Sequence, residues 1–97
     1  MKSLNAVINE AMNAGQFAEE KLNGFRFKNA NYVLRYNRFE KRFELFEDVT
    51  LRGTVRRPML VIKDSTEENG DVIVRYLQDK YAKGGRQLNY NGTVYGF

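Results

Sequence analysis

The chain has 97 residues, with 16 Lys and Arg against 12 Asp and Glu, and neither Cys nor His. That length makes one domain, residues 1–97. Without Cys there is no disulfide, thiolate metal site or Cys nucleophile; without His the commonest general base and metal ligand are missing. These absences make a binding domain without catalysis, metal or cofactor the expectation.

Six tyrosines and seven phenylalanines raise the prospect of a folded core, because each ring can bury roughly 150–250 Å². Met1–Asn13 is polar at every second or third position, so no signal peptide is read. The longest apolar run, Met59–Ile62, falls far short of the ~18 residues that suggest a membrane span. The cytoplasm is the expected address, with no membrane association.

In chain order, Met1–Asn23 reads as an amphipathic helix. Leu4, Val7, Ile8, Ala11, Met12, Gly15, Ala18 and Leu22 follow helical spacing, and Asn23-Gly24 reads as its stop. Gly15 marks a place where it could bend or split. From Phe25 the period changes to two. Phe25 and Phe27 flank Arg26; Tyr32, Leu34 and Tyr36 alternate with Val33, Arg35 and Asn37. Phe39, Lys41, Phe43 and Leu45 follow on one parity. These segments predict an antiparallel meander. Thr50–Val55 resembles a further strand, and Met59–Lys63 a buried one behind Pro58.

Residues 64–71 are ambiguous. Ser65-Thr66-Glu67-Glu68 fits a capping box, whereas Asn69-Gly70 fits a hairpin turn. A helix over Asp71–Lys83 is the reading adopted, since Ile73, Tyr76, Leu77 and Tyr81 share a helical face and Gly84-Gly85 follows. Two short strands around Asn91-Gly92 end the pattern. The expected fold is α+β: an antiparallel sheet of four to five strands, with an N-terminal helix and a second helix near 71–83 packed on one face.

Charge is regional. Residues 24–57 hold nine cations (Arg26, Lys28, Arg35, Arg38, Lys41, Arg42, Arg52, Arg56 and Arg57) against four anions, Glu40, Glu44, Glu47 and Asp48. If these cations share a face, that face attracts polyanions. Single-stranded nucleic acid is held by cations along its phosphates and by rings stacked on its bases. The expectation is therefore a small basic accessory protein that binds RNA or single-stranded DNA through these nine residues. Parity weighs against it: the aromatics and cations fall mostly on opposite sides, so the rings read as core and the cations as a solvated face.

Two other readings compete. A short chain rich in Asn and aromatics, without a catalytic signature, also has the composition of a phage-type inhibitor or adaptor. Such a protein would dock its basic face on an acidic surface of a host nucleic-acid enzyme or defence protein. The third reading is structural: open sheet edges near Pro58 or the Tyr90–Phe97 hairpin would pair copies into a homo-oligomer. The Lys83-Gly84-Gly85-Arg86 segment lacks the spacing of a phosphate loop and reads as a turn.

Overall fold

A computed structural model describes residues 17–48 and 57–97. Its elements are β1 (Ala18–Lys21), β2 (Asn31–Asn37), β3 (Arg42–Glu47), β4 (Leu60–Lys63), a 3-10 turn (Glu67–Asn69), α1 (Gly70–Tyr81), β5 (Gln87–Tyr90) and β6 (Thr93–Gly96). The strands form one six-stranded sheet in the order β1-β4-β3-β2-β5-β6. All neighbours are antiparallel except β2 and β5, which run parallel.

This corrects the expected fold in two ways. The sheet is mixed and six-stranded, and one α-helix, not two, lies among the described residues. Residues 1–16 of the expected N-terminal helix lie outside the described residues, as does the strand expected over Thr50–Val55. The part that is described, Ala18–Lys21, is a strand paired with β4. Ala-Glu-Glu-Lys has good intrinsic helix propensity, but that is a weak preference which tertiary partners override. Asn23 and Gly24 both take positive φ, 52° and 66°, and reverse the chain after a strand rather than closing a helix.

Direction was invisible for a different reason. Alternation says which side chains share a face, not which way a neighbouring strand runs. The parallel pair arises because α1 carries the chain from the end of β4 back across β3 and β2 to the start of β5. Antiparallel neighbours need only a tight turn; parallel ones need such a crossover.

The core lies between α1 and one face of the sheet. Tyr32 and Leu34 of β2, Phe43 and Leu45 of β3, Leu60 and Ile62 of β4, and Leu88 and Tyr90 of β5 point toward Ile73, Val74 and Leu77 of the helix. The alternation of Tyr32, Leu34 and Tyr36 therefore places them as expected. Phe25 and Phe27 also pack on this core, but from an irregular segment. Phe25 stacks edge-on with Tyr81, and Phe27 with Tyr32 and Phe97, at centroid distances of 5.2–5.4 Å.

The start of α1 is fixed by a close approach. A Cβ on Gly70 would stand 1.9 Å from the Tyr90 hydroxyl oxygen and 2.4 Å from its ring. Gly70 has an ordinary helical φ of −51°, so space, not conformation, demands glycine there. The 3-10 turn before it is tied by Asn69, whose Oδ1 accepts from the Thr66 N–H at 2.8 Å. That reciprocal cap replaces the expected Ser65–Glu68 box.

β1 is held to the helix by one carboxylate. Glu19 accepts hydrogen bonds from Tyr76 Oη (2.5 Å), Lys80 Nζ (2.5 Å) and Tyr81 Oη, and its side chain is only 12% exposed. Burial alone would raise its pKa, but the bonds from Lys80, Tyr76 and Tyr81 outweigh burial and hold it below the ordinary value. Both tyrosines are pushed up, by burial first and by Glu19 next, so they stay neutral donors.

Two outcomes follow. Gly70→Ala should lose about 1–3 kcal/mol to overpacking, and less in a Tyr90→Leu background; urea denaturation of the double-mutant cycle measures the difference. Glu19 contributes stability that is fully present above its unfolded value of about 4.5 and is lost as pH falls through the lower folded value. Unfolding free energies measured across the acid range should thus decline more steeply in the natural chain than in Glu19→Gln.

Candidate nucleic-acid interface at the β2–β3 turn

The turn Arg38–Lys41 joins β2 to β3 and is built by Asn37. Its Oδ1 accepts from the backbone N–H groups of Phe39 and Glu40, both at 3.0 Å. Its Nδ2 donates to Glu44 Oε1 at 3.2 Å. Asn is favoured where a side chain must imitate a turn of backbone in this way. Lys41 completes the reversal with a φ of 53°, in the left-handed region.

The consequence is a fixed loop with Phe39 at its tip. Phe39 is 99% exposed, and it and Val94 are the large hydrophobic side chains exposed among the described residues. Sequence parity placed it with Phe43 and Leu45 in the core. The parity breaks at Glu40-Lys41-Arg42, three consecutive charges that no strand with one buried face accommodates. That run was the available turn signal.

Arg38 precedes Phe39, and Glu40 and Lys41 follow it; all three charged residues are exposed. Beside them lies an open cleft of about 370 Å³, lined by Arg35, Tyr36, Arg38, Glu67, Tyr90 and Asn91. It forms where β5 turns away at Asn91-Gly92 while β2 continues beyond the last matched pair, Leu34–Tyr90. Tyr90 is a neutral phenol there, its pKa raised by burial and then by Asp71.

Of the nine predicted residues, the seven that are described do not share one site. Arg35, Arg38 and Lys41 gather at the end of the sheet where β2 finishes. Arg26, Lys28 and Arg57 are also exposed, but they lie where β2 begins. β2, seven residues and roughly 20 Å long, separates Arg38 and Lys41 from the second group, and Arg35 lies on it toward its end. Arg42 is half-buried and engaged: its Nε and Nη2 each lie 2.9 Å from Glu44 Oε2. Arg52 and Arg56 lie outside the described residues.

Ion pairing further divides the set. Arg38 Nη2 reaches Glu67 Oε1 at 2.9 Å, with both side chains largely in water. Such a pair is worth little and exchanges readily for another anion. No carboxylate among the described residues forms an ion pair with Arg35 or Lys41. The arrangement thus offers an exposed ring, two unpaired cations and a third that is weakly held.

Neither a metal-holding group of acidic side chains nor a helix long and apolar enough to cross a membrane occurs among the described residues. No protein-family model, curated protein or solved structure matches the chain.

Proposed function

We propose that this protein binds single-stranded nucleic acid, RNA or DNA, at the β2–β3 turn. A base stacks on Phe39, while Arg35, Arg38 and Lys41 meet the neighbouring phosphates. The carrying observation is that a nearly fully exposed ring is held on an ordered turn that also carries Arg38, Glu40 and Lys41. Exposing an aromatic ring to water is unfavourable, so its presentation calls for a partner with an apolar face. Nucleobases supply that face next to negative charge, and such stacking contributes about 1–3 kcal/mol per base.

The reading also accounts for Glu67. In the free protein it keeps Arg38 oriented beside the cleft; on binding, a phosphate takes its place. The cations at the far end of the sheet are not part of this site.

A second reading draws on the same ring. Phe39 on a turn with Arg38 and Lys41 also suits an apolar pocket with carboxylates on its rim on a protein partner, as an inhibitor or adaptor would use it. Nucleic acid is preferred because Arg35 lines an open cleft beside the turn, where an extended strand can continue past the ring.

Filter binding with labelled oligonucleotides tests the proposal. Phe39→Ala should weaken binding by about 5- to 150-fold without shifting the melting temperature, since the ring buries nothing. Arg35→Gln and Lys41→Gln should each reduce the steepness of the log K against log salt plot by about 0.7. Glu67→Gln should tighten binding by releasing Arg38. Failure of the natural chain to retain any oligonucleotide at low salt would overturn this reading. A complex recovered from lysate that survives nuclease and is lost in Phe39→Ala would favour the protein partner.

A further inference from the structure

The two edges of the sheet are built differently. β1 carries Glu19, Glu20 and Lys21. Charged side chains of this kind are what protects an edge from pairing with another strand. β6 reads Thr-Val-Tyr-Gly, and no charged residue occurs from Gln87 to Phe97. It also has no proline. Its outward side chain, Val94, is 55% exposed.

The hydrogen-bond phase of β6 follows from its turn. Asn91 and Gly92 have φ of 51° and 80°, as a two-residue hairpin loop requires. The flanking pair Tyr90–Thr93 and then Leu88–Tyr95 exchange bonds across the ladder. The Phe97 N–H continues that phase by donating to the Arg86 carbonyl at 2.9 Å. The main-chain groups of Val94 and Gly96 therefore face away from β5. The Gly96 carbonyl fits this, since it accepts from Gln78 Nε2 at 3.0 Å. The Val94 N–H and C=O and the Gly96 N–H have no partner among the described residues.

We propose that β6 pairs antiparallel with β6 of a second copy, about a two-fold axis passing between the two Val94 residues. In that register each Val94 N–H donates to the Val94 carbonyl of the other copy. Each Gly96 N–H donates to the other copy's Gly92 carbonyl. The bond from Gln78 to Gly96 is kept. The two Val94 side chains meet on one face of the joined sheet, and Tyr95 of one copy lies beside Thr93 of the other on the opposite face. The edge is its own complement, with no like charges brought together, which is why a second copy is the occupant. One short strand buries less than a standard interface, so the dimer should be weak and depend on protein concentration.

Sedimentation equilibrium over a concentration series tests this. The natural chain should pass from one protomer mass toward twice that mass, whereas Val94→Lys, which sets two cations against each other, should remain a monomer. Val94→Pro removes the outward donor without touching the ladder to β5 and should behave alike. Because the chain has no cysteine of its own, Val94→Cys under mild oxidation should give a covalent dimer, and Asp79→Cys, exposed on α1, should not. A natural chain that stays monomeric throughout the series, or a Val94→Lys variant that dimerises equally, overturns the proposal. Loss of Phe39 leaves this association intact, so the outcome is independent of nucleic-acid binding.

Discussion

One helix has to cover one face of six strands, and most of the molecule follows from that mismatch. α1 has twelve residues, so it is about 18 Å long and ~10 Å wide. A six-stranded sheet is roughly 25 Å across. Ile73, Val74 and Leu77 fill the middle, but the flanks need large side chains reaching in from elsewhere. Phe25 and Phe27 come from the irregular segment after β1, Phe97 from beyond β6, and Tyr76 and Tyr81 from the sides of the helix. The aromatic content is thus mainly a covering device. Arg86 takes part in it, with its guanidinium 4.3 Å from the Phe27 centroid and 4.8 Å from that of Phe97.

That role separates rings that serve the core from the one that does not. Tyr32, Tyr36, Phe43 and Tyr90 each have ring neighbours within about 6 Å. Phe39 has no such contact among the described residues and faces water. The charges sort in the same way. Glu19, Glu20, Glu44 and Glu67 each engage a cation, two of them with side chains nearly out of water. Within the basic stretch, Arg38 and Arg42 are the cations so engaged, by Glu67 and Glu44. What survives at the β2–β3 turn is local.

Some of this was legible beforehand. Tyr32, Leu34 and Tyr36 share a face because a strand's period is two. Asn91-Gly92 turns a hairpin because both residues tolerate positive φ. Ile73, Leu77 and Tyr81 mark a helix because they recur every four. What remained hidden depends on distant partners. β1 is a strand because β4 lies beside it and Glu19 finds Tyr76, Lys80 and Tyr81 far along the chain. The parallel pairing of β2 with β5 depends on a crossover whose path no local pattern records. At the candidate site, the cations were readable as residue types and the charge run after Phe39 as a turn signal, while the division of the cations between two ends of β2 was not.

The ladder joining β2 to β5 has a kinetic consequence. It pairs residues more than fifty positions apart, such as Tyr32 with Leu88, whereas the β2–β3 and β5–β6 ladders close over short turns. Loop-closure entropy opposes the distant pairing until much of the intervening chain is ordered. That cost predicts that the two hairpins and α1 form before one hairpin docks against the other under the helix, and that this docking is slow.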